Sequence, residues 1–123
     1  MPLAKLGVVV LDCPDPLALA TFYAAVIGGT PKDDGEGWVD LEGQGGGTPL
    51  AFQAAPDHVP PQWPSAAHSQ QFHLDLDVAQ AEMDAVEKEV LALGATVLDA
   101  ADRARSFRVY ADPAGHPFCL CAC

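Results

Sequence analysis

Residues 8–29, "VVVLDCPDPLALATFYAAVIGG", decide the fold once they are laid beside residues 73–94, "HLDLDVAQAEMDAVEKEVLALG". The two stretches superpose without a gap, Leu11 on Leu76, Asp12 on Asp77, Ala20 on Ala85 and Gly29 on Gly94. Each reads as a strand, then a helix, then a glycine stop, and repetition at a fixed offset marks a duplicated unit. In the first copy Asp15 is placed to cap the helix and Pro16 takes its first position, where a missing N–H costs nothing. The spacing predicts an apolar stripe of Leu17, Ala20, Tyr23/Ala24 and Ile27, with Gly28 and Gly29 closing the helix. In the second copy Asp77 is the expected cap, followed by a stripe of Ala79, Met83, Val86, Val90 and Leu93 before Gly94.

Short strand-like runs follow each helix: "GWVDL" and "TPLAFQA" in the first half, "TVL", "SFRVYA" and "HPFCLCA" in the second. The last runs of the halves also align, with Ala51 falling on Cys119. The chain of 123 residues is therefore one domain of two βαβββ modules, about 1–55 and about 70–123. The proline-rich stretch at about 56–69 is the linker between them. The fold class is α+β. Each helix must cover one face of its own strands, the face expected to carry Val9, Leu11, Phe72, Leu74 and Leu76. Side chains alternate along a strand, so the other face carries Val8, Val10 and Asp12 in one half and His73, Asp75 and Asp77 in the other. Cys119 and Cys121 join that second row if Phe118 and Leu120 pack under the helix.

Composition limits the function. Half of the residues are apolar, which suits a packed core, and no apolar run reaches the length of a membrane span. The formal charge of −11 argues against nucleic acid and anionic membranes as partners. The first residues lack the order of a signal peptide, so the expected location is the cytoplasm, where the four cysteines stay reduced.

The combination of "LDCPDPLALATFYAAVIGG", "QQFHLDLDV" and "VYADPAGHPFCLC" resembles the vicinal oxygen chelate superfamily, in particular its small glyoxalase-like domains. The resemblance spans nearly the whole chain. It implies a cupped, half-open mixed sheet with the helices outside, a small-molecule ligand inside the cup, and a homodimer. Superfamily activities range from glyoxalase and dioxygenase to drug-binding resistance proteins, so the fold alone does not choose a reaction. The resemblance also implies four metal-ligand positions, which fall on Val8, Ala51, His73 and Cys119. Only His73 keeps a usual family ligand, and Cys119 stands where the family has a glutamate. Val8 and Ala51 carry no donor, whereas a protein metal site takes three or four. The expectation is a protein without a cofactor, a divalent Zn, Fe, Mn, Ni or Co site being the alternative.

Three roles stay open for the cysteine row. Cys119 beside His73 can form a thiolate–imidazolium pair, which would make it a nucleophile. His73 can act alone as a general base, with Asp75 fixing its tautomer. Or the cysteines are simply apolar pocket wall. Residues expected around the ligand are Val8, Trp38, Ala51, Gln53, Trp63, Gln71, Tyr110 and Cys121. Arg103 or Arg105 could meet a substrate carboxylate. The reading is a binder of a small organic molecule. The alternative is a lyase or isomerase of the glyoxalase-like class using His73.

Overall fold

The computed structural model describes residues 2–123. The chain divides into two compact units, one running to His58 and the other from Val59 to Cys123. The first holds β1 (Val9–Cys13), α1 (Pro16–Ile27), β2 (Thr30–Asp33), β3 (Trp38–Glu42) and β4 (Leu50–Ala54). The second holds β5 (Leu74–Val78), α2 (Met83–Ala92), β6 (Thr96–Asp99), β7 (Phe107–Ala111) and β8 (Pro117–Ala122). Their sheets have the same mixed order, β1-β4-β3-β2 and β5-β8-β7-β6, with the first and last strand of each unit parallel. The boundary lies inside the stretch read as linker, and the remainder of that stretch belongs to the second unit.

In the first unit Asp15 accepts a hydrogen bond from the Ala18 N–H at 3.1 Å, and Pro16 opens α1. The buried face is Leu19, Ala20, Phe22 and Tyr23, while Leu17 is 46% exposed. That corrects the expected stripe. α1 is apolar on nearly every side, so period alone could not select the face that meets the sheet. Tyr23 stacks on Phe52 at 5.8 Å, and Leu11, Cys13, Val39 and Leu41 complete the core beneath them.

In the second unit Asp77 does not cap a helix. It stays within β5, which continues to Val78 because Asp77 pairs with Cys121 and Val78 with Ala122 in the parallel ladder. A single 3-10 turn, Gln80–Glu82, then leads into α2, and neither has a side-chain cap. Met83 and Val90 are buried, whereas Leu93 and Ala79 are exposed. Phe72, expected beneath the helix, precedes β5 and is 58% exposed.

The "DPAGH" stretch forms the turn between β7 and β8. The buried Asp112 carboxylate accepts from the N–H groups of Ala114 at 2.9 Å and His116 at 3.0 Å. Gly115 has φ +90°, and a Cβ there would meet the Pro60 ring at 2.5 Å. Pro60 therefore seats the linker on this turn, and only glycine accommodates both the dihedral and the approach.

Candidate functional site

The ladder of the second unit fixes which side chains share a face. Leu74 lies beside Phe118, Leu76 beside Leu120, Arg108 beside Leu120 and Tyr110 beside Phe118. Phe118, Leu120 and Tyr110 are fully buried, and the Tyr110 hydroxyl donates to Glu87 of α2 at 2.7 Å, so this is the helix side. The alternate residues, Asp75 beside Cys119 and Asp77 beside Cys121, with Val109 and Phe107 next along, form the other face.

His73 immediately precedes β5 and continues that second row. Its Nε2 lies 3.1 Å from Asp75 Oδ1. One ligand-type atom each from His73, Asp75 and Cys119 fall within 4.8 Å of one another. His73 and Asp75 are exposed, and Cys119 is 6% exposed. Burial pushes the Cys119 thiol up to about 12, aided by the Asp75 carboxylate and by Cys121. Cys121 is raised for the same reasons, burial first and the Asp75 and Asp77 charges after it. Both shifts favour the protonated thiol over the thiolate–imidazolium pair. A carboxylate beside a buried sulfur holds it protonated, and a protonated thiol is not a nucleophile.

The residues expected around a ligand separate into groups. In the first unit Trp38, Gln53 and Asp12 lie side by side across β3, β4 and β1, as do Asp40, Ala51 and Val10. The Trp38 indole donates to Asp40 at 3.0 Å, Ala51 is fully buried and Gln53 is exposed. Val8 lies just before β1 and is partly exposed. In the second unit Trp63 is half-buried in the linker. Gln71 is exposed at φ 66°, its amide donating to Ser69 at 2.8 Å. Tyr110 is a correction. It sits under α2 as a core residue, because β7 pairs it with Phe118 and not with Cys119.

Arg103 and Arg105 bind within the chain. Arg103 lies 3.0 Å from Glu87, and Arg105 pairs with Asp99 at 3.2 Å while stacking over Phe107. The arginine that sequence reasoning passed over is Arg108. It is buried on the helix side, with Asp84 at 2.9 Å and Glu87 at 3.6 Å. Alternation from Tyr110 would have placed it there once the phase of β7 was known.

A family model described as "Glyoxalase-like domain" matches residues 8–121. The chain belongs to that family. No curated protein matches the sequence. Among solved structures, a glyoxalase/bleomycin resistance protein/dioxygenase family enzyme from Burkholderia phytofirmans superposes with a TM-score of 0.72 at 20% identity, covering 95% of this chain and 97% of that one. A glyoxalase-related enzyme from Fulvimarina pelagi gives 0.70 at 21% identity, covering 98% and 89%. A fosfomycin resistance protein from Listeria monocytogenes gives 0.74 at 14% identity, covering 99% and 95%. At these identities the likeness is one of fold. The glyoxalase-like chain is thus a vicinal oxygen chelate protein, and its chemistry must be argued from its own residues.

Proposed function

We propose that this glyoxalase-like protein holds a small organic molecule against the His73–Asp75–Cys119 face of its second sheet, and that His73 moves a proton on it. The observation that supports this is the 3.1 Å contact between His73 Nε2 and Asp75 Oδ1. A carboxylate on one ring nitrogen fixes the imidazole's tautomer and orientation and leaves the other nitrogen to face a substrate. The reaction class is that of a lyase or isomerase acting beside a carbonyl, where proton abstraction is the difficult step. In this reading Cys119 is a neutral wall, kept protonated by burial and by Asp75.

A second reading rests on the convergence of three donors within 4.8 Å. Two ligands of one zinc ion, at bond lengths of about 2.0–2.3 Å, lie no more than roughly 4.6 Å apart, so donors within 4.8 Å reach one ion after a small side-chain adjustment. The imidazole, carboxylate and thiol therefore fit a borderline divalent ion held by three protein ligands. The four positions implied by the superfamily do not fit, because Val8 and Ala51 have no donor atom. A bound ion would supply a Lewis acid for a carbonyl oxygen.

The test begins with a panel of small aldehydes, ketones and hydroxy acids, screened by thermal shift. Each compound that stabilises the protein is then followed by proton NMR in D2O for exchange at the carbon beside its carbonyl. Catalysed exchange that falls at least about a hundredfold in His73→Ala, while binding persists, is the expected result. Binding without exchange would leave a sequestering protein. Elemental analysis of the same preparation separates the second reading: one metal per chain, lost in both His73→Ala and Asp75→Ala, would favour it.

A further inference from the structure

A cleft of about 270 Å³ lies on the helix side of the second unit, where the 3-10 turn enters α2. Gln80, Met83 and Asp84 form one wall, and Arg103, Arg105 and Arg108 line the rest. The chain has only six basic residues against 17 acidic ones, and its three arginines all border this one space. Arg108 is 6% exposed, and its Nε and Nη1 have no hydrogen-bond partner among the described residues. Nη1 stands 3.6 Å from Glu87, and Nη2 meets Asp84 at 2.9 Å. Asp84 itself is 87% exposed. A buried guanidinium with two donors unmet, and only a solvated carboxylate at its open end, is an under-compensated cation. The amides that open the 3-10 turn and α2 also have no side-chain cap.

We propose that this cleft binds a small organic carboxylate, whose charged end takes the place of Asp84 on Arg108. Asp84 already shows that Nη2 donates to a carboxylate, and an exposed ion pair is displaced at little cost. Arg103 and Arg105 are tied to Glu87 and Asp99, so they set the field at the rim and leave Arg108 as the anchor. Glu87 behind Arg108 disfavours a dianion, which selects a monoanionic carboxylate over a phosphate. The lining is mainly polar, and Ala81, Ala104 and Ala122 leave only a small apolar patch for a short organic body. Its anchor, Arg108, lies on the opposite face of the sheet from His73 and Cys119, while Arg105 at the rim stacks on Phe107 and its charge reaches Cys119.

Removing the buried Arg108 would leave a void beneath α2 and disturb the fold, so the test uses Asp84→Asn in the full chain. Sodium benzoate is titrated against ¹⁵N-labelled wild-type and variant protein while the arginine Nε–H signals are followed. The expected result is a saturable shift at Arg108, absent with the neutral isostere benzamide, and about fivefold tighter in Asp84→Asn, the scale on which an exposed competing ion pair acts. No saturable shift, an equal response to benzamide, or an unchanged or weaker response in Asp84→Asn would overturn it. Inorganic phosphate acting at Arg108 in place of benzoate would overturn the choice of a carboxylate.

Discussion

Cys119 shows how much of a residue's chemistry is set by what the register places beside it. The ladder puts Asp75 directly alongside, and the strand's own alternation adds Cys121 two residues on. With the thiol pushed from 9.0 up to about 12, Cys119 stays neutral in the folded chain while the unfolded chain's thiol ionises. The group's contribution to stability is therefore present below pH 9 and is lost as pH climbs through about 12. At pH 7.5, timed alkylation with iodoacetamide and peptide mass mapping should label the exposed Cys123 first and Cys119 among the last. Asp75→Asn removes the neighbouring charge and should speed Cys119 labelling about tenfold, the effect of roughly one pKa unit on the thiolate fraction. Unchanged labelling would remove Asp75 from the account. The shared face of His73 and Asp75 could be read from alternation alone, and Cys119 joined it on the condition that Phe118 and Leu120 pack under the helix, which they do. Tyr110 could not, because its face depends on which residue of β8 it opposes, and pairing register is not written in either strand by itself.

Between β7 and α2, a partly buried charged cluster around Arg108 and Glu87 adds to the packing of Met83 and Val90. Glu87 receives Tyr110 at 2.7 Å and Arg103 at 3.0 Å, with Arg108 close by. Burial works to raise the Glu87 carboxyl, but the Arg103 and Tyr110 hydrogen bonds and the two arginine charges outweigh it and hold the group below its ordinary 4.5. Its stabilisation is thus present above the usual carboxylate range and is lost as pH falls through its lowered value. Glu87→Gln leaves Arg108 with less charge compensation and should cost about 3 kcal/mol at neutral pH, the scale for breaking a buried pair. Urea denaturation at pH 7 and pH 3.5 should also show a smaller loss on acidification than in wild type. Tyr110→Phe, which removes one donor and keeps the ring, should cost about 1 kcal/mol. A neutral result for Glu87→Gln would mean that α2 is held by Met83 and Val90 alone. The helices, most strands and the glycine stops were legible because period and turn residues are local signals, but β2, Thr30–Asp33, lay outside the strand-like runs read after the first helix. The extension of β5 through Asp77 was not legible, since a strand outruns a capping residue only where a partner strand pairs with it. The β7–β8 turn makes the same point. Gly115→Ala would force a Cβ into the Pro60 ring at φ +90° and should cost about 1–3 kcal/mol in the same assay.

Over the whole molecule, duplication made the architecture readable, whereas charge balance concerns how the folded chain behaves in solution. Two units with the same strand order need no signal beyond the repeat itself, which is why a chain of such low identity to its structural relatives still announced its topology. The candidate site was legible in part for the same reason: equivalent positions of the repeat fall on equivalent strands, but which donors meet depends on side chains that the two copies do not share. With six basic residues against 17 acidic ones, most carboxylates lack a cation. Four of the cations, Lys32, Arg103, Arg105 and Arg108, are already engaged with Glu42, Glu87, Asp99 and Asp84. Salt should then act in two opposing ways. It weakens the exposed pairs, each worth at most about 1 kcal/mol, and it screens repulsion among the unbalanced acids over a Debye length that shrinks from about 30 Å at 0.01 M to about 8 Å at 0.15 M. The Arg108 and Glu87 contacts are buried and largely escape that screening. Repulsion dominates at a net charge of −11, so thermal unfolding followed by circular dichroism should move to higher temperature as NaCl rises from 0.01 to 0.15 M. A fall over that range would mean that the exposed ion pairs outweigh the repulsion, and that the surface acids are held far enough apart to ignore one another.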